Sequence, residues 1–385
     1  MHVELADVRR RQTLEGPLVP GPRRVQQRRH LRGGAERNKA LGIWGALGGI
    51  GATAGWLIGG PLTDGLGWEW IFFINIPVGL GALAASLALL PESRRAGVGR
   101  SFDPAGALSV TGALFVLVLA LVEAPDAGWA SARTLALLAA AVLLAVAFVA
   151  IEARARQPVV PLAIFRSRTL AGVNVAILLL GAVAFGMPFI LTLYAQQVLG
   201  DSALKFGVTS VVMPVAAAAG SIVGQAIVTR AGFRALAAVG IALTTIGCLL
   251  LTGVSVGGSY ADDILPALLV FGPGLGAVFV TASIATLAGV RESYAGLASG
   301  LNNTSLQIGG AIGTAAVTTV AVSRTEHLLA TGEAGGLVAL TEGFQLAFAA
   351  SAVFPVLGLL VVLLFLGRPR RRGAEEVLEP APVPD

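Results

Sequence analysis

The chain has 385 residues, of which 55% are hydrophobic and only 13% are charged, and its formal net charge is +5 at pH 7. Soluble domains carry about 25% charged residues, so this composition excludes an ordinary soluble enzyme and a disordered chain. Its single cysteine, Cys248, excludes a disulfide scaffold. We therefore expect an all-α polytopic membrane protein.

The first 40 residues differ from the rest of the chain. They carry ten Lys or Arg residues and no apolar run, so they are not a secretory signal. Two interpretations remain open for residues 1–40: a disordered basic arm, or a segment whose residues 1–33 are translated out of frame.

Long apolar runs follow. A helix needs about 20 apolar residues to cross about 30 Å of hydrocarbon, and about ten runs of that length are present. They do not alternate in polarity, so they predict helices rather than barrel strands. The predicted spans are residues 43–62, 70–90, 104–122, 134–152, 171–193, 206–228, 235–256, 264–287, 297–322 and 344–367.

Lys and Arg residues are distributed unevenly between the two sets of loops. One set, together with the tail at 368–385, holds 14 of them, and the opposite set holds three. The positive-inside rule therefore predicts a multi-pass protein of the cell membrane with a cytoplasmic C-terminus. This topology explains the arginines better than a nucleic-acid partner does.

The first span carries glycines at nearly regular spacing. Because Gly51, Gly55 and Gly59 recur every four residues, with Gly60 next to the last, they share a helix face on which a second helix can approach closely. Generic packing of small residues is the alternative interpretation.

Several motifs resemble one transporter family. The segment Arg37-Asn-Lys-Ala-Leu-Gly-Ile-Trp44 and the segment that begins Trp68-Glu-Trp-Ile-Phe-Phe flank the glycine run. Together they resemble the fifth and sixth helices of the fourteen-span drug/proton antiporter branch of the major facilitator superfamily. The glycine run is similar to that branch's motif Gly-x-x-x-Gly-Pro-x-x-Gly-Gly, with Trp56 in place of the proline.

The resemblance implies a domain organisation. Residues 41–92 would be the last two helices of the N-terminal half, and the first four would be lacking. Residues 104–152 would be a linker helix pair, and residues 170–367 the six-helix C-terminal half. The fold expected is thus major-facilitator-type and N-terminally truncated.

The same resemblance implies a function. It is proton-coupled export of drugs or other small lipophilic molecules by alternating access; the alternative is a truncated remnant that does not transport. We expect no enzyme activity, cofactor or metal, since the three histidines lie far apart in the sequence. The expected partners are membrane lipid, a small-molecule substrate and protons, with no obligate protein partner.

Uncharged polar residues are the candidates for a substrate cavity or gate. Ionisable residues fall in loops, tails or at span edges, as Glu152 does, so a proton carrier is not visible. Two groups of residues are candidates. The first group is Tyr194, Gln196 and Gln197, for which interfacial anchoring is the alternative role. The second group is Asn302, Asn303 and Gln307, for which interhelical hydrogen bonding is the alternative role.

Overall fold

The computed structural model describes residues 51, 53–89, 103–155, 158, 160–161, 168–287 and 295–365. The chain divides into two compact units, residues 1–52 and residues 53–385. The first unit contributes only Gly51, which is helical and exposed. All regular structure among the described residues is helical, which confirms the all-α fold class.

The described helices of the second unit begin with α1, residues 53–66. In chain order the others are α2 (Trp70–Phe73), α3 (Asn75–Leu89), α4 (Pro104–Ala127), α5 (Ala132–Glu152), α6 (Arg168–Gln197), α7 (Ala203–Ser210), α8 (Val212–Ala231), α9 (Phe233–Leu250), α10 (Leu265–Leu287), α11 (Ala295–Thr331) and α12 (Gly336–Phe365).

Nine helical segments among the described residues are long and apolar enough to cross a membrane. They match nine of the predicted spans, while residues 43–50 and 52 of the predicted span at 43–62 lie outside the described residues. The chain therefore has the architecture of a polytopic membrane protein, as expected.

Helices α11 and α12 are longer than the predicted spans 297–322 and 344–367. At 1.5 Å per residue, the 37 residues of α11 extend about 55 Å, well beyond the hydrocarbon thickness. An ion pair joins Arg324 to Glu342 at 2.8 Å where the two helices approach their connecting turn. Hydropathy misses the end of α11 because residues 323–327 are polar while the helix continues.

Side-chain caps fix where several helices begin. Asp103 accepts a hydrogen bond from the Gly106 amide at the start of α4, at 2.8 Å. Ser131 accepts one from the Thr134 amide at the start of α5. Such caps satisfy amides that have no partner within the helix.

Helices α4 and α5 form an antiparallel hairpin that packs against α11. The Trp129 indole N–H, in the turn of the hairpin, donates a hydrogen bond to the Thr319 hydroxyl at 2.9 Å. The hairpin is therefore attached to the bundle by α4 and by the tip of its turn.

Helices α6 and α8 to α12 form a bundle in which each long helix packs against its neighbours in the order α11, α6, α12, α9, α10, α8. Small residues allow close contact: a Cβ added at Gly313 of α11 would collide with the backbone of Ala182 in α6. Large, fully buried side chains fill the bundle near the carboxy end of α6: Tyr194, Phe271, Phe348 and Met187.

Candidate functional site

Helices α1 and α7 cross at two glycines. A Cβ added at Gly60 would lie 2.7 Å from the carbonyl oxygen of Ala203 and 2.9 Å from Cα of Leu204. A Cβ added at Gly207 would lie 2.7 Å from the carbonyl oxygen of Trp56. The obstructing atoms belong to the backbone and cannot rotate away, so this crossing requires glycine on both helices.

Two further contacts join the same helices. Asp64, near the end of α1, accepts a hydrogen bond from the Leu204 amide through Oδ2, at 2.9 Å. The rings of Trp56 and Phe206 meet edge to face, with centroids 5.5 Å apart. The Asp64 carboxylate thus satisfies a free amide in the first turn of α7, where negative charge is also favoured by the helix dipole.

The other three motif glycines are not in such contacts. A Cβ at Gly55 or Gly59 would meet no atom within 4 Å, and the same holds at Gly51. Among the described residues, Gly60 is therefore the motif glycine at which another helix, α7, approaches closely. The role of the shared glycine face remains a prediction.

The structure separates the first group of polar candidates. Tyr194 is fully buried, and its hydroxyl donates to the backbone oxygen of Ser255 at 2.9 Å. Its ring packs edge to face against Phe344. Gln196 and Gln197 are exposed at the end of α6. Tyr194 therefore lies in the bundle core, apart from the two glutamines.

The second group lies on α11 and is also divided. The amide nitrogen of Asn302 donates to the hydroxyl of Thr286 in α10 at 2.6 Å, while Oδ1 of Asn302 is buried without a hydrogen-bond partner among the described residues. Asn303 and Gln307 are exposed one helical turn apart. Asn302 thus makes an interhelical hydrogen bond, and the other two are accessible.

Two buried polar residues were not among the sequence candidates. Asn174 of α6 is 8% exposed and accepts a hydrogen bond from the Ser305 hydroxyl of α11 at 3.0 Å. Glu152, assigned to a span edge from the sequence, is 3% exposed, and its Oε2 accepts from the Val160 amide at 3.3 Å. A polar residue inside an apolar run was the available signal for Asn174.

An apolar cavity of about 50 Å³ lies between α6, α9, α10 and α12. It lies towards the amino ends of α6 and α9 and the carboxy ends of α10 and α12. Several of its lining residues are small: Ala176, Ala237, Ala282, Ala285 and Gly358.

Comparison with known proteins identifies the family. The family described as Major Facilitator Superfamily matches residues 29–314. The chain belongs to the major facilitator superfamily. It is therefore a multi-pass membrane protein of a transporter superfamily. The similar proteins are resistance and export proteins rather than enzymes.

Similar proteins include antibiotic exporters. The tetracenomycin C resistance and export protein of Streptomyces glaucescens is 37% identical over 289 residues, which are 74% of this chain and 53% of that protein. The puromycin resistance protein pur8 of Streptomyces alboniger is 33% identical over 82% of this chain and 63% of its own length.

A third relative comes from another genus. The multidrug resistance protein Stp of Mycobacterium tuberculosis is 32% identical over 74% of this chain and 52% of its own length. The chain thus spans between half and two thirds of the length of the relatives that it matches.

Proposed function

We propose that this chain belongs to the fourteen-span drug/proton antiporter branch and exports small lipophilic molecules in exchange for protons. The observation that supports this most directly is the contact between α1 and α7 at Gly60 and Gly207. Relatives named for tetracenomycin C export and puromycin resistance support antibiotics as the substrate class.

In this proposal α1 belongs to the N-terminal half of the transporter and α7 to the C-terminal half. Alternating access requires the two halves to separate on one side of the membrane while they close on the other. The excess of Lys and Arg on one side favours a cytoplasmic C-terminus. Counting spans from there, the α1–α7 contact would lie on the outer side of the membrane and would belong to the state that is closed on that side.

The Asp64 hydrogen bond adds to this closed contact. Asp64 and Leu204 are both exposed in the closed contact, so on separation of α1 from α7 water would hydrate the freed amide and carboxylate. The net cost of losing such a bond is then about 0.5–1.5 kcal/mol. A contact of that strength holds the closed state while leaving it reversible.

A non-transporting remnant is the second candidate. The specific observation that favours it is helix α3, which has no buried residue among its 15 residues. In a major facilitator half such a helix would pack against others. The remnant would keep the C-terminal bundle and lack a complete substrate pathway.

Uptake by proteoliposomes tests the proposal. The purified chain is reconstituted, a pH gradient is imposed, and accumulation of radiolabelled puromycin is measured against protein-free liposomes. We expect gradient-dependent accumulation that a protonophore abolishes. Gly60→Val should reduce it, and Gly59→Ala, whose added Cβ meets no atom within 4 Å, should not. A correctly folded chain without gradient-dependent uptake would favour the remnant.

A further inference from the structure

The cavity between α6, α9, α10 and α12 contrasts with the rest of the bundle. Near the carboxy end of α6 the interior is filled by fully buried Tyr194, Phe271 and Phe348. At the opposite end about 50 Å³ remains open, whereas one water molecule needs about 10–15 Å³. Protein interiors contain few voids larger than a water molecule, so this void is large enough to hold a ligand group.

The lining of the cavity determines which chemical groups fit. Among the described residues that line it, none is ionisable and none is aromatic. Its two threonines, Thr244 and Thr281, donate their hydroxyl hydrogens to carbonyl oxygens one turn earlier in their own helices, at 2.8 and 3.1 Å. A charged group would lose its hydration here without gaining a partner. Apolar cavities of this kind stay dry and accept apolar ligands.

The packing of the four helices indicates where the cavity opens. Helix α12 packs extensively against both α6 and α9, and α9 against α10, whereas α6 and α10 touch only sparsely. The gap between α6 and α10 is flanked by α8 and α11. The sparsely packed side of the cavity, between α6 and α10, therefore faces away from α9 and α12. An alkyl group would enter between α6 and α10.

A hydrogen-bond acceptor on α11 is joined to the cavity-lining part of α10, although Asn302 is not itself a lining residue. Asn302 bonds to Thr286, the residue that follows the lining residue Ala285, and Oδ1 of Asn302 is buried with no hydrogen-bond partner in the described part of the chain. Leu306, one turn further along α11, packs against the cluster of Val173 and Ile177 that lines the cavity. An unpaired buried acceptor is costly, and a ligand N–H or O–H would satisfy it.

We propose that this cavity is a substrate subsite for an uncharged alkyl group, with Asn302 Oδ1 accepting a hydrogen bond from an adjacent N–H or O–H. This inference rests on the proposed export function, since it names part of the exported compound. The opening away from α9 and α12 favours that compound over a bilayer lipid.

Photolabelling of the full-length chain in nanodiscs tests the subsite. One probe is a six-carbon alcohol that carries an aliphatic diazirine, and the other is phosphatidylcholine with the diazirine in its acyl chain. Labelled peptides are identified by mass spectrometry. We expect the alcohol to label the cavity-lining parts of α6 and α10. We expect the lipid probe to label exposed faces such as α3.

Filling the cavity should remove the alcohol label selectively. Ala282→Leu adds about three methylene-sized groups to the lining and should lower labelling about tenfold. The matched control, Ala242→Leu, adds the same volume at an exposed position of α9 and should leave labelling unchanged. Gly358→Ala is a milder filling variant, because its Cβ would make only an ordinary contact, 3.9 Å from Cβ of Leu179.

Asn302→Leu tests the acceptor. It should lower labelling by the alcohol and leave labelling by an alkane diazirine of equal length unchanged. Cavity labelling by the lipid probe alone would overturn the proposal in favour of a bilayer lipid. No cavity labelling, or equal losses in Ala282→Leu and Ala242→Leu, would overturn it as well. If the alcohol labels the cavity but puromycin uptake fails, the export function is refuted and the ligand class of the cavity is supported.

Discussion

Substitution of Gly60 by alanine should open the crossing of α1 and α7. The added Cβ would lie 2.7 Å from the Ala203 carbonyl oxygen and 2.9 Å from Cα of Leu204, whereas ordinary contact begins at 3.4 Å. Since both atoms belong to the backbone, the helices themselves must separate by roughly half an ångström or more. Overpacking of this kind costs about 1–3 kcal/mol. That shifts a two-state equilibrium roughly 5- to 150-fold towards the separated state.

Hydrogen exchange measured by mass spectrometry reports this opening directly. The Leu204 amide donates to Asp64 in the closed contact at 2.9 Å, so exchange at the start of α7 depends on the separated population. Gly60→Ala should accelerate exchange there roughly 5- to 150-fold. Gly59→Ala is the matched control, because its Cβ would meet no atom within 4 Å.

Two results would refute this reasoning. The first is equal exchange at the start of α7 in the Gly60→Ala and Gly59→Ala variants, since steric conflict at Gly60 could then not be the cause. The second is accelerated exchange that extends to the distant α4–α5 hairpin, which would indicate general unfolding.

Three further variants test contacts between elements. Asp64→Ala should accelerate exchange at the start of α7, since loss of a helix cap costs about 0.5–2 kcal/mol, and Asp64→Asn should have a smaller effect. Trp129→Phe should lower the free energy of unfolding by about 0.5–1.5 kcal/mol, because the hydrogen bond to Thr319 is lost. In a double-mutant cycle, adding Trp129→Phe to a Thr319→Val variant should cause no further loss. Asn174→Leu should lower stability by loosening the packing of α6 on α11. In the Asn174→Leu variant, the second substitution Ser305→Ala should cause no further loss of stability. Additive losses in either cycle would contradict the contact in question.

The sequence predicted the helices better than it predicted their ends. Runs of about 20 apolar residues that do not alternate with polar ones allow only helices in a membrane. Nine of the predicted spans coincide with described helices. The ends of α11 and α12 were missed. Their extensions carry Arg324 and Glu342, which form an ion pair between the two helices. Hydropathy detects only that these residues are charged and does not detect that they pair.

The candidate residues show a different limit. Tyr194 and Gln197 stand three residues apart at the end of one span, yet the first is fully buried and the second is exposed. Their surroundings depend on which helices pack against each side of α6, and periodicity within a single segment does not contain that information. Phe344, which contacts the Tyr194 ring, comes from α12.

The sequence by itself determined that this chain is helical, spans a membrane repeatedly and carries a glycine-rich first span, because these properties depend on local composition and on the cost of burying backbone in lipid. Only the tertiary structure decided which glycine is sterically required. Gly59 and Gly60 are neighbours in the sequence, but only Gly60 lies against the backbone of Ala203 and Leu204. Contacts between segments 140 residues apart, such as Asp64 with Leu204, arise from the packing of whole helices and leave no local pattern.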